Sequence, residues 1–108
     1  MVTNIQIINI LVDNSDVDYP GAIIKVWWRL NCIDDNEFIS YQCTTDLIPV
    51  FDNNFIPYEN ITNEMLKDWI IQIEGTSYTV LKNFIEKSVQ NQMNISLYNT
   101  ENYIFLSR

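Results

Sequence analysis

The chain has 108 residues, 47% hydrophobic and only 19% charged, so it is not a disordered segment and has room for a single core. Six Lys and Arg against fourteen Asp and Glu give a net charge of −8, which argues against nucleic-acid binding through a basic footprint. There is no His, so the commonest general base and the commonest metal ligand are both missing.

Fourteen Asn and seventeen Ile point to AT-rich codons rather than to a special role for either residue. No apolar run approaches the roughly 20 residues of a membrane helix. The start, Met1-Val2-Thr3-Asn4, lacks the basic region of a secretory signal, so a soluble protein made in a cytoplasm is expected. The sequons at Asn60 and Asn94 are read as chance in an Asn-rich chain.

Asn4 to Val12 is predicted as a strand. Ile5 and Ile7 alternate in one phase, then Ile8, Ile10 and Val12 in the other, which is the mark of a β-bulge. Asp13 to Gly21 is an acidic loop ending in Pro20-Gly21. Ala22 to Ile33 is the strongest strand, with Ile24, Val26, Trp28, Leu30 and Cys32 on a dry face. Its mixed face carries Ile23, Lys25, Trp27, Arg29, Asn31 and Ile33. After a turn at residues 34–37, Phe38 to Leu47 returns as its partner, with Ile39, Tyr41, Cys43 and Leu47 facing inward. A hairpin centred on Asp35-Asn36 sets Ile33 opposite Phe38, Cys32 opposite Ile39 and Cys43 opposite Trp28. The two sulfurs then lie roughly 13 Å apart along the sheet, too far to bridge, so free thiols are predicted.

Ile48 to Asn60, with Pro49 and Pro57, reads as a connector that packs Phe51, Phe55 and Tyr58. Thr62 is placed to cap a helix whose stripe is Leu66, Trp69, Ile70 and Ile73, with Ile61 and Leu66 spaced as a hydrophobic staple. Gly75 ends this helix, and Thr76 or Ser77 caps a second one with the stripe Leu81, Phe84, Ile85, Val89 and Met93. The short joint predicts an antiparallel helical hairpin. Residues 94–108 read as an extended C-terminal arm after a single domain over 1–93. The arm holds the apolar cluster Tyr103, Ile104, Phe105 and Leu106, which must add a strand at home or dock on a neighbour.

Nothing in the chain points to catalysis: it has no phosphate loop, no Cys/His cluster and no Ser/His pair, so no catalytic residues and no cofactor are assigned. Asp13, Asp16 and Asp18 offer oxygen ligands to Ca²⁺, but they lack the EF-hand spacing, its Gly and its closing Glu, so no metal is assigned. Trp27 has two readings. If the helices cover its face, it is core, with the stems of Lys25 and Arg29 packed over it. If they do not, it is an exposed aromatic between two cations, a common anchor for a protein partner. Trp28 and Trp69 read as core.

One stretch carries a resemblance. It runs from Ile24-Lys25-Val26-Trp27-Trp28-Arg29-Leu30-Asn31, through the acidic turn at residues 34–37, to Phe55-Ile56-Pro57-Tyr58-Glu59-Asn60-Ile61-Thr62-Asn63-Glu64, Trp69-Ile70 and a second helix ending at Gln92. It resembles a family of small uncharacterised proteins of tailed bacteriophages, with a Trp-bearing strand, a Tyr before a Leu-Thr-Glu-like helix cap and a Trp-Val or Trp-Ile helix. That family usually has Gly in the hairpin turn, where this chain has Asn36, and a Pro-rich tail with a Trp, where this chain has residues 94–108. The resemblance transfers no activity and implies a phage context.

The expected fold is α+β: an antiparallel sheet of three or four strands with a helical hairpin packed on one face. The expected function is a structural protein of a phage virion, a capsid decoration protein or a neck or tail adaptor, located in the virion and assembled in the host cytoplasm. It would work by contact with other virion proteins in a symmetric, multi-copy assembly, without direct nucleic-acid or membrane binding. Its predicted contact residues are Lys25, Trp27, Arg29, Tyr103, Ile104, Phe105 and Leu106. The alternative is an early inhibitor of a host enzyme or defence complex, acting as an acidic DNA mimic or otherwise.

Overall fold

The computed structural model describes the backbone of residues 1–97 and the side chains of residues 1–91. The fold is α+β. Three strands, β1 (Val2–Asp13), β2 (Ala22–Asp34) and β3 (Glu37–Asp46), form an antiparallel sheet in the order β1-β2-β3. A short 3₁₀ turn at Tyr58–Asn60 leads to helix α1 (Asn63–Glu74) and helix α2 (Thr76–Leu97).

The strand pairing follows from the alternation. In β2–β3, Ile33 faces Phe38, Cys32 faces Ile39 and Trp28 faces Cys43. This register leaves both cysteines free. In β1–β2 the register shifts between Ile7 and Asn9, so Ile8 is the extra residue at which the apolar phase changes sides. A second shift between Leu11 and Val12 moves Ile24 out of register. Ile23, expected on the mixed face, therefore turns inward and is buried, while Ile24 is only half-buried.

The β2–β3 loop is two residues long, and Asp35 takes a positive φ of 52°. Asp tolerates this region better than most residues, but a Cβ there still costs free energy that Gly avoids. Asp35→Gly is expected to raise stability by about 0.5 kcal/mol, the relief being partly offset by the entropy of a freer unfolded chain. An unchanged or lower urea midpoint would refute this.

Both helices lie on one side of the sheet. Leu66 and Ile70 from α1, and Ile85 and Val89 from α2, share one core with Val26, Trp28, Leu30 and Cys32 of β2. Ile5 of β1 and Ile23 of β2 complete it, and Ile61, Trp69, Tyr78 and Leu81 pack around it. Thr3 of β1 donates to Glu86 of α2 at 3.3 Å, which ties the far strand to the second helix. Thr62 caps α1 by accepting from the Met65 amide at 3.2 Å.

Three parts of the predicted stripes differ. Thr76 is the first residue of α2 rather than its cap; Gly75 closes α1, and its carbonyl accepts the Thr79 amide. Ile73 is 52% exposed, because it lines an open groove beside the connector instead of meeting the sheet. Phe84 is 61% exposed. It sits about 100° around the helix from Ile85, so Ile85 and Val89 are buried, with Tyr78 and Leu81 partly buried in line with them, and Phe84 is carried to the side. Tyr41 shares the inner side of β3 but is half-exposed, bordering a shallow depression with Val80 and Phe84. α2 runs on through residues 94–97, which the alternation of Ile95 and Leu97 had placed in the arm. The Met93 side chain and the cluster Tyr103, Ile104, Phe105 and Leu106 lie outside the described residues.

Candidate functional site: the uncovered sheet face and the loop end

Because the helices cover the side bearing Val26, Trp28, Leu30 and Cys32, the alternate residues of β2 face away from them. Lys25, Trp27 and Arg29 stand in a row on that side, with no layer over them among the described residues. The reading in which the helices bury Trp27 is thereby corrected. Trp27 is half-buried only by its neighbours in the sheet, and Arg29 is exposed. The Lys25 ammonium lies 5.6 Å from the Trp27 ring centroid and 3.8 Å from the Asp46 carboxylate across the strand pair. A cation over an indole contributes about 0.5–1 kcal/mol at an exposed site, enough to favour this orientation of the ring.

The strand register extends this face. β1 brings Gln6 beside Arg29, Asn9 beside Trp27 and Leu11 beside Lys25. β3 brings Gln42 and Thr44. Asn31 donates to Gln6 Oε1 at 3.0 Å, while its own buried Oδ1 has no partner among the described residues. At its hairpin end the face exposes Ile33 and Phe38. Across β2 and β3 it carries two cations and one acid, in a chain of net charge −8. Such a surface offers flat apolar area, an aromatic anchor and polar groups able to pair with a partner's backbone or side chains.

The opposite end of the sheet holds a second feature that the sequence reading missed. The loop after β1 and the connector after β3 meet there. Tyr19 stacks on Phe51 with centroids 5.6 Å apart and meets Phe55 edge-on at 5.3 Å. The Tyr58 amide donates to the Gly21 carbonyl at 2.8 Å and joins the two loops. Gly21 has φ 87°, and a Cβ there would press within 3.2 Å of the Tyr58 ring, so this junction requires Gly. Beside it lies a groove of about 520 Å³ between the connector and α1, and a smaller one of about 340 Å³; Phe55 lines both. Ile48, at 93%, and Val50 are exposed here, contrary to the usual burial of such side chains.

Asp13, Asp16 and Asp18 do not converge on a cation site. Asp13 accepts the Ser15 amide, and Asp16 accepts the amides of Asp18 and Tyr19, so two of the three carboxylates shape their own loop. The Ser15 hydroxyl and amide hold the Asp13 carboxyl below its ordinary range. No group of three or more metal-ligating side chains exists among the described residues. No described helix is long and apolar enough to cross a membrane.

Inside the fold, the Cys43 thiol is shifted from its ordinary value. Burial and the nearby Glu74 charge push it up, since both disfavour a thiolate. The folded chain therefore holds this proton more tightly than the unfolded chain. The stabilising contribution is complete below the ordinary thiol value and is lost as pH rises through the folded value. Stability is expected to fall more between pH 8 and 10 in the native chain than in Cys43→Ala, read as urea midpoints; equal slopes would refute it.

The chain belongs to the family described as "Domain of unknown function (DUF7936)", whose model matches residues 2–103. No curated protein and no solved structure matches the chain.

Proposed function

We propose that this chain is a small structural protein of a tailed-phage virion, a decoration protein or an adaptor, that works by contact with other virion proteins through the uncovered face of its sheet. The observation that carries the reading is the row Lys25, Trp27 and Arg29 standing free of the helical layer, with the Trp27 ring held by Lys25. A rigid aromatic beside a guanidinium is the composition of interface hot spots, because it buries much area at little cost in side-chain entropy. The phage context comes from the resemblance of residues 22–92 to tailed-phage proteins. Repeated contacts of this kind suit a symmetric particle.

The test is direct. Mass spectrometry of purified particles from the encoding phage is expected to find the protein in a copy number set by the particle's symmetry. Its absence from the particles would sink the reading. In a genetic complementation series, Trp27→Ala is expected to reduce incorporation by roughly 30-fold, the effect of a hot spot worth about 2 kcal/mol. The variant should keep the thermal midpoint of the native chain within a few degrees, because Trp27 lies outside the core. Normal incorporation of a folded Trp27→Ala chain would exclude this face.

A further inference from the structure

The groove at the loop end is independent of the Trp27 face and has a chemistry of its own. Its lining is mainly apolar, with Ile48, Val50, Phe55 and Ile73 in the larger depression beside the polar side chains of Asp52, Asn54 and Gln72. Ile48, Val50 and Ile73 are mostly exposed, so the depression presents large apolar side chains to water, as binding surfaces do. Its loops are held in shape by the Tyr19, Phe51 and Phe55 cluster and by the Asp52 carboxylate, which accepts the Asn54 amide at 2.7 Å.

The charged side chains that line the two depressions are all acids: Asp52 in the larger, Asp18 and Glu59 in the smaller. Asp18 and Glu59 line the smaller depression, and neither carboxylate has a hydrogen bond or ion pair among the described residues. A wholly apolar partner would leave these carboxylates desolvated and unpaired. An acidic partner, including a second copy of this chain at −8, would be repelled.

We propose that this groove binds an extended segment of a partner protein that carries both apolar and basic side chains. The apolar side chains seat against Ile48, Val50 and Ile73, and a Lys or Arg reaches Asp18 and Glu59. Phe55, which lines the same depression as Asp18 and Glu59, adds cation–π attraction for that cation. Apolar contact supplies the affinity, and the acidic rim selects the charge of the partner.

The probe is a synthetic peptide of about twelve residues alternating Leu, Pro and Arg, compared with peptides in which Gln or Glu replaces each Arg. They are titrated into the full chain and followed by residue-resolved amide and side-chain NMR shifts. The Arg peptide is expected to shift resonances of residues 18–23, 48–56 and 69–73, with a Kd below about 1 mM. The Gln peptide should bind at least threefold more weakly and the Glu peptide not at all. In the double variant Asp18→Asn, Glu59→Gln, the Arg peptide should fall to the level of the Gln peptide. Trp27→Ala should leave the titration unchanged, which keeps this test separate from that of the proposed function. No shift by 1 mM, equal binding of the Glu peptide, shifts confined to β2, or peptide-free shifts that grow with protein concentration would each overturn the proposal.

Discussion

Trp28→Ala is expected to destabilise the fold by about 3–5 kcal/mol, a large share of the roughly 5–15 kcal/mol available to a domain of this size. Trp28 is 2% exposed at the centre of the middle strand, between the sheet and both helices. Its ring lies 6.5 Å from that of Tyr78 on α2, so its removal empties the contact between β2 and the second helix. It also removes the indole N–H that donates to Thr45 Oγ at 2.9 Å. Urea denaturation would read the loss, and a cost under about 1.5 kcal/mol would mean that the helical layer is not held by this residue. Trp27→Ala, one position along the same strand, is the natural control, because its ring faces away from the core.

Two adjacent tryptophans with opposite fates show which parts of the chain were readable. Alternation in β2 separated Trp27 from Trp28, and the turn at Asp35-Asn36 set the register of β3 to the residue. The apolar phase change at Ile8 carried the first bulge as well. Alternation was silent on which side the helices would choose when both sides of β2 carry large apolar residues. Only the helices' own buried lines, Leu66 with Ile70 and Ile85 with Val89, decide it, and those are properties of packing. The second shift, at Ile24, has no apolar signature, because Ile23 and Ile24 are the same residue and either can turn inward. Helical stripes were read too broadly for a related reason. An apolar residue at the edge of a stripe counts equally whether or not the sheet covers it, and both Ile73 and Phe84 stay more than half exposed. The loop-end groove was least legible. Its apolar residues come from the connector, one strand and α1, and in the connector they looked like ordinary candidates for burial. The surplus of acid and absence of base in residues 13–24 and 47–66 was the one available signal.

The polar centre of the core leads to the second large effect. Thr45 is the only buried polar residue among those described, and it reads in the sequence as one more polar letter on β3. Its hydroxyl accepts from Trp28 Nε1 at 2.9 Å and donates to Glu74 Oε1 at 2.8 Å. The chain β2–β3–α1 is thus joined through a single oxygen, at the last turn of the helix. The direction of each bond is fixed, since an indole N–H only donates and a carboxylate only accepts. Thr45→Val keeps the volume but removes both functions. It leaves a buried indole N–H and a partly buried carboxylate without partners, which costs about 2–3 kcal/mol. Thr45→Ser restores the hydroxyl and loses one methyl, so its cost is expected to stay near 1 kcal/mol. Pairing each change with Trp28→Phe separates the terms. Once the indole N–H is gone, Thr45→Val should cost at least about 1 kcal/mol less than in the native chain. If the cost is the same in both backgrounds, the bond from Trp28 contributes nothing, and the stability of this corner rests on the Thr45–Glu74 contact alone.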